Sequence, residues 1–279
     1  MCNLFIENNL FLASNRTTNN HKRYRIIARV EGYNPALRTV STLPMSKRFI
    51  ILSIIFVAII AAIGSAIYLY RPNSARIVSF RSWIRNPASR PDWKLAAGSQ
   101  CGSAPFIFPT DGFVGFLWGD SFRPGHTHQG IDIFAGTDVN ITQVISAYPG
   151  YLTRLPDWKS TVIVRVPSDP LNPGTQIWLY YTHMADQFGN SFVSEDFPAG
   201  TFEKYIEAGT YIGNQGEYSG DPGNPTGVHL HFSIVEDDNG QFKNETDIKN
   251  TLDPSPYLGL PLNASENRDQ VPLCEPMVE

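Results

Sequence analysis

The sequence is poor in cysteine and in charge, and each shortage excludes a class of function. Three cysteines occur among 279 residues and none forms a C-x-x-C pair, so a thiolate zinc site or a redox dithiol is not expected. Charged residues make up 17% of the chain, the formal net charge is -4, and no long basic block follows the apolar segment. This charge pattern argues against nucleic acid as a partner. The sequence also contains no evident internal repeat and no phosphate-cradling loop.

What the sequence does contain is typical of a globular chain with many turns. Hydrophobic residues supply 42% of the positions, and 22 glycines and 21 prolines break the chain frequently. This length can hold one domain of ordinary size with appendages, or two small domains. The concentration of turn residues after position 100 favours the first arrangement.

The N-terminal part predicts a membrane segment behind a polar tail. Residues 1–48 form a polar, mildly basic tail with no sustained periodicity, and Met45 is an alternative initiator that would make the preceding residues an artefact of start assignment. Residues 49–70 carry no charge and reach the roughly 20 residues that span a bilayer as a helix. The alternative is a cleaved signal peptide with a small-residue site at Gly64-Ser65-Ala66.

The charges beside this segment leave its orientation open. Three basic residues precede it and five arginines follow it, so the positive-inside rule opposes export of the C-terminal part. Long domains, however, cross membranes with little regard to flanking charge. We therefore expect a single-pass membrane protein whose C-terminal domain lies outside the cytoplasm, with residues 71–104 as a basic linker. The residues counted are Arg38, Lys47, Arg48, Arg71, Arg76, Arg81, Arg85 and Arg90.

From Pro105 onward, short β-like runs alternate with turn residues. This pattern predicts a mainly β fold, an antiparallel sheet, sandwich or open barrel-like domain over residues 105–260, followed by a C-terminal tail over 261–279. Helical periodicity is weak throughout this part. The predicted strands are Gly112–Trp118, Val139–Ala147, Tyr151–Arg154, Thr161–Val166, Gln176–Thr182, Thr210–Gly213 and Val228–Val235.

Five of the six histidines lie in this C-terminal half. His229 and His231 belong to an alternating run, and residues two apart on a strand project from the same face. Upstream, His128 and Asp132 are four positions apart around Gly130, where a Cβ could crowd a metal or the backbone needs a positive φ. A catalytic zinc ion typically takes three such protein ligands and leaves a fourth position open. His128, Asp132 and one histidine of the later pair would complete that set.

Three stretches together resemble the motifs of the lysostaphin/LytM-type zinc peptidases, which cleave peptide bonds in bacterial cell-wall peptidoglycan. The resemblance covers roughly residues 105–260, with the motifs in the family's order and spacing. The stretches are GDSFRPGHTHQGIDIFA from Gly119 to Ala135, YYTHM from Tyr180 to Met184, and GNQGEYSGDPGNPTGVHLHFSI from Gly213 to Ile234.

The resemblance implies a residue-by-residue assignment. His128, Asp132 and His231 are expected to bind one Zn²⁺ per chain, and His183 and His229 are expected to act on the attacking water and the oxyanion. His126 lies outside the ligand register and is expected at the rim of the site. The substrate would be a peptidoglycan peptide, held in a groove between residues 157–174, 184–198 and 216–227.

Cys101 and Cys274 bracket this region. Outside the cytoplasm they could form a disulfide that ties its two ends together, or they could be two unrelated buried thiols.

Two other functions stay open: a catalytically silent member that binds wall or activates another hydrolase, and a zinc peptidase with a protein substrate. The bond cleaved and the oligomeric state are not readable from the sequence.

Overall fold

The structure, a computed structural model, describes residues 46–69, 75–121, 125–267 and 269–274. Most of the predicted polar tail, including Met45, lies outside these residues. The chain divides into two units, Met1–Ile67 and Tyr68–Glu279. Helix α1 (Lys47–Leu69) contains nearly all described residues of the first unit. A stretch of it, Lys47–Gly64, is long and apolar enough to cross a membrane.

A nine-stranded antiparallel sheet dominates the second unit, as the alternating sequence predicted. Its strand order is β1-β2-β9-β6-β5-β4-β7, with β10 and β11 paired to β9, and strands β3 and β8 form a separate two-stranded sheet. The strands are β1 (Phe113–Phe116), β2 (Ile131–Phe134), β3 (Gln143–Ile145), β4 (Gly150–Thr153), β5 (Val162–Val166), β6 (Ile177–Thr182), β7 (Lys204–Ile206), β8 (Tyr211–Asn214), β9 (Leu230–Asp238), β10 (Gln241–Phe242) and β11 (Thr251–Leu252). The mainly β prediction is confirmed, although the sequence reading did not include β2, β7, β10 or β11.

The main hydrophobic core lies on one face of the large sheet. Alternate residues of β9, namely Leu230, Phe232 and Ile234, are fully buried there together with residues of β3 and β8. Because side chains on a strand point alternately to opposite faces, His231 and Ser233 project from the other face of the sheet. The polar side chains of the large sheet are thereby separated from its apolar core.

The segment predicted as a linker is folded against this sheet from residue 75. It forms helix α2 (Ala75–Arg85) and two short 3-10 turns, Pro87–Ser89 and Pro91–Trp93. Trp83 is 1% exposed and packs with Phe113 and Phe134 in a second apolar cluster. The expectation of a spacer fails here because the helix buries Trp83 and Arg76 in the fold and, of its arginines, exposes only Arg81 and Arg85 to solvent.

The predicted C-terminal tail is likewise packed on the domain. Leu262, near the start of the predicted tail, is buried in the main core. It follows a short helix, α3 (Ser255–Leu258), and Leu260, which end the predicted domain and are packed in the same core. Cys101 and Cys274 are joined by a disulfide with their Cα atoms 5.1 Å apart. Because 173 residues separate the two cysteines, this bond closes nearly the whole second unit into one loop.

Candidate metal centre

The register of strands β2 and β9 brings Asp132 and His231 together. The two residues are direct partners across the antiparallel ladder, where opposite side chains on one face come close enough to interact. Asp132 Oδ1 lies 2.8 Å from His231 Nδ1. His128, from the loop before β2, places its Nε2 3.0 Å from each of these two atoms. His128, Asp132 and His231 are all buried, and their ligand atoms lie within 4.8 Å of one another.

Outer contacts fix which nitrogen of each ring carries hydrogen. His128 Nδ1 lies 2.9 Å from the carbonyl oxygen of Leu117, which can only accept, so Nδ1 donates and Nε2 keeps its lone pair. His231 Nε2 lies 2.9 Å from Glu245 Oε1, which likewise places hydrogen on Nε2. Two imidazole lone pairs and a carboxylate oxygen therefore converge. Such a set repels itself unless a cation, either a proton or a metal ion, lies between the three atoms.

The electrostatics of this set favour a cation. Burial favours the neutral form of Asp132, but attraction to His128 and His229, together with the close contacts of its carboxylate with His128 and His231, holds its pKa well below the usual range. Burial also opposes charge on His231, yet its hydrogen bonds to Asp132 and Glu245 raise its pKa to about 10. Both pKa shifts have the sign expected where negative charge around the three atoms favours a cation.

Sequence reasoning missed Glu245. This carboxylate follows β10, and Ser233 Oγ donates to its Oε1 at 3.1 Å, so it is held in place beside His231. The burial that would favour a neutral Glu245 is outweighed by the contact with His231, and its pKa is lowered. A ligating histidine usually donates its second N–H to a carboxylate or carbonyl group. No spacing motif marks Glu245, because only the fold brings it to the ring.

A second pair of histidines adjoins the first. His229 Nε2 lies 3.7 Å from Asp132 Oδ1, and its Nδ1 donates to the carbonyl of Gly227 at 2.8 Å. His183 Nδ1 donates to the carbonyl of Tyr218 at 2.6 Å, and the two rings are 4.5 Å apart. Each ring therefore carries its hydrogen on Nδ1 and leaves an Nε2 lone pair.

These two rings are kept neutral. Loss of hydration lowers the pKa of His183 to about 3, and repulsion from His229 and His231 acts in the same direction. Burial also lowers the pKa of His229, against the attraction of Asp132. Phe134 stacks on the His229 ring at 4.8 Å and covers it with an apolar surface. His183 is further constrained by a backbone φ of 74°, a left-handed conformation that costs a non-glycine residue roughly 1–2 kcal/mol.

The four histidines open into a cavity of about 860 Å³. Two of its walls match the expected groove, since residues of 157–161 and of 218–226 line it. The expectation of a third wall from residues 184–198 is wrong. Among the described residues that line the cavity none comes from this range, and Glu245 and Thr246 line the cavity instead. His126 lines the cavity as well, as expected for a rim residue.

The requirement for glycine at position 130 comes from the packing of the sheet and not from crowding at the metal site. A Cβ at this position would collide with the carbonyl oxygen of Phe232 on β9. Its φ is also not positive, contrary to the second expectation from the sequence. The glycine therefore allows the chain before β2 to approach β9 closely enough for His128 to reach His231.

No protein-family model and no curated protein matches the chain. Solved structures do match. The catalytic domain of the antimicrobial peptidase lysostaphin from Staphylococcus simulans aligns over 53% of this chain and 89% of its own, at 20% identity and a TM-score of 0.33. The catalytic domain of the prophage-encoded M23 protein EnpA from Enterococcus faecalis aligns over 54% and 96%, at 21% identity and a TM-score of 0.31. A zinc-containing peptidase from Vibrio cholerae aligns over 55% and 40%, at 16% identity and a TM-score of 0.28. Alignments at this level assign no activity to the chain.

Proposed function

We propose that the chain is a membrane-anchored zinc metalloendopeptidase of the lysostaphin/LytM type that hydrolyses peptide bonds in bacterial cell-wall peptidoglycan. The observation that carries the proposal is the convergence of His128 Nε2, Asp132 Oδ1 and His231 Nδ1. The lone pairs of the two histidines are directed inward by their outer partners, the Leu117 carbonyl and Glu245. Two imidazoles and one carboxylate are a donor set that suits zinc and leaves a coordination position open.

The donor set fits one zinc ion, held by His128, Asp132 and His231. When bound, zinc acts as a Lewis acid that polarises a scissile carbonyl and makes water more acidic. Asp132 stays ionised despite its burial and so supplies the negative charge of the set. Glu245 keeps the hydrogen of His231 on Nε2 and leaves Nδ1 available to the ion.

His183 and His229 are the proposed proton carriers. Both are held neutral, and both have an Nε2 lone pair that can take a proton from the attacking water. A histidine that has accepted this proton becomes a donor, first to the oxyanion of the tetrahedral intermediate and then to the leaving amine. The carbonyl groups of Gly227 and Tyr218 hold the two histidine rings in the tautomer that these proton transfers require.

Support for the substrate and the location comes from several sources. The open cavity beside the histidines has walls from two loops, which suits an extended peptide. The lysostaphin/LytM-type peptidases, whose motifs the sequence resembles, cleave peptidoglycan. Helix α1 is long and apolar enough to anchor the chain in a membrane, with the domain outside the cytoplasm, where the disulfide would also be stable.

A catalytically silent wall-binding protein is the weaker alternative. A member that had lost catalysis would not need two neutral histidines with free lone pairs beside an intact ligand set. A peptidase with a protein substrate shares the same chemistry and differs only in what the cavity walls accept.

Mass spectrometry of the products tests the proposal. Purified peptidoglycan is incubated with the full chain in detergent and zinc, and the released fragments are sequenced. The proposal expects newly exposed amino groups from one type of peptide bond, lost in the His231→Ala variant and on zinc chelation. Zinc binding without any cleavage of wall material would favour the silent alternative, and activity that survives metal removal would overturn the metal mechanism.

A further inference from the structure

Helix α2 carries an arginine that is buried in the protein. Arg76 is 2% exposed, whereas arginine is almost never fully buried unless it is paired. Its Nη2 donates to both carboxylate oxygens of Asp120 at 2.7 Å, and its Nη1 donates to the carbonyl of Gly115 at 2.6 Å. The ion pair is largely shielded from water, since the Asp120 side chain is 16% exposed. Removing either partner would leave an uncompensated charge in the fold.

Asp120 in turn organises the residues around His128. Its Oδ2 accepts a hydrogen bond from the backbone N–H of Leu117 at 2.6 Å. Its carbonyl accepts from the backbone N–H of His128 at 2.8 Å, and the carbonyl of His128 accepts from Gly119 at 2.8 Å. The segment from Leu117 to Asp120 is therefore hydrogen-bonded to both the backbone N–H and the backbone carbonyl of His128.

The Leu117 carbonyl, which belongs to this same segment, holds the ring of His128 at 2.9 Å. An unbroken series of contacts thus leads from Arg76 through Asp120 and Leu117 to the His128 ring. Outer partners of this kind set the orientation and the tautomer of a metal ligand. The Arg76 side chain lies outside the metal centre and is connected to it by this series of contacts.

We propose that Arg76 is a positioning residue for the metal site: by fixing Asp120, it orients the Leu117 carbonyl and hence the His128 ring toward zinc. The proposal rests on the proposed zinc peptidase function. It gives helix α2, which follows the apolar helix in the chain, a part in tuning metal affinity.

The same helix reaches the other histidines by a separate route. Phe80 packs against Phe134 with ring centroids 4.6 Å apart, and Phe134 stacks on His229. Loss of the whole helix would therefore disturb both the metal ligands and the proposed proton carriers. Loss of the Arg76 side chain alone should disturb only the metal ligands, which separates a positioning role from general damage.

The test measures the zinc dissociation constant of the full chain in detergent, by competition with a chromophoric chelator. Arg76→Gln should raise the constant about 10- to 100-fold, the usual effect of losing an outer partner of a metal ligand. Arg76→Lys keeps the charge but not the forked set of donors, so its effect should be intermediate. The matched control is Arg81→Gln on the exposed side of α2, which should stay within about twofold of the parent.

Two further readouts keep the test decisive. At saturating zinc, the kcat of Arg76→Gln should return to near the parent value, since the contact of Phe134 with His229 is unchanged. If Arg76→Gln fails to fold by circular dichroism, Arg76→Lys decides the question. A folded Arg76 variant with the zinc affinity of the parent would overturn the inference. Failure of the underlying function would show differently, as a parent chain that does not bind zinc at all.

Discussion

His229 and His231 lie two residues apart on one side of the sheet, yet their surroundings are opposite. His231 lies between two carboxylates, Asp132 and Glu245, and its pKa is raised to about 10. His229 lies between a backbone carbonyl and the face of Phe134, and its pKa is lowered. The same side chain is thus prepared to hold a cation at one position and to stay a neutral base at the other.

The difference shows how a fold can give the two histidines of an H-x-H motif different chemical roles. We name the two regions the carboxylate end, formed by Asp132, His231 and Glu245, and the carbonyl end, formed by His183 and His229 with their backbone partners. Carboxylates neutralise a bound cation, whereas carbonyls only orient a ring. Each substitution discussed below changes one end of the site and leaves the other intact.

The largest effect is expected at the carboxylate end, from His231→Ala. The variant should lose its zinc and about 10³-fold or more in the release of amino groups from peptidoglycan, because metal assistance contributes several kcal/mol to such reactions. His126→Ala, a histidine change in the wall of the same cavity, should cost less than about tenfold. Equal losses in the two variants would contradict a special role for His231.

At the carbonyl end, His229→Ala should keep zinc and lower kcat by about 10²- to 10⁴-fold, the range for removal of a general acid–base. The KM for wall fragments should change little, because the ring is proposed to act on the proton and not on substrate binding. A large rise in KM with kcat unchanged would instead assign His229 to substrate binding.

Glu245→Gln should weaken zinc binding by about 10- to 100-fold, because an outer carboxylate is replaced by a neutral amide. The amide oxygen can still accept from His231 Nε2, so the fold should survive. Glu236→Gln, on the same strand as His231 but paired with Lys243, serves as the control. Zinc affinity unchanged by Glu245→Gln would show that this carboxylate does not support metal binding.

The last prediction concerns the stability of the fold and the carbonyl end. The folded-state pKa of His183 is about 3 against an ordinary 6.5, so the unfolded chain binds more protons between these values. Stability contributed by neutral His183 is present above pH 6.5 and is lost as the pH falls toward 3, by up to about 1.4 kcal/mol for each pH unit. His183→Asn, which suits the left-handed backbone, should flatten this acid limb in denaturant titrations of the metal-free chain. An unchanged acid limb would mean that His183 is not held neutral.

Much of the candidate site could be predicted from the sequence because the proposed ligands follow local rules. Period-two alternation places His229 and His231 on one face, and the spacing of His128 and Asp132 indicates a donor pair. Strand β2 was missed because its four residues include Asp132, a proposed ligand, and Ile131 and Ile133 alone are too short a pattern to identify a strand. The roles of the two histidines of H-x-H depend on Glu245 and Phe134, which no local spacing connects to them.

The prediction of a linker over residues 71–104 was wrong from residue 75 onward for a related physical reason. The segment after the apolar helix is rich in arginine, which is typical of a solvated spacer. In the fold, Arg76 pairs with Asp120, which lies 44 residues further along the chain. Long-range pairing of charges leaves no periodic signal in either partner.

Zinc content of three full-length chains tests the division between the two ends most directly. The parent, His229→Ala and His231→Ala are dialysed against the same zinc buffer, and bound metal is measured by mass spectrometry. The account predicts one zinc ion in the parent, nearly the same in His229→Ala, and almost none in His231→Ala. Equal zinc loss in both folded variants would contradict it, since the two histidines would then be equivalent ligands.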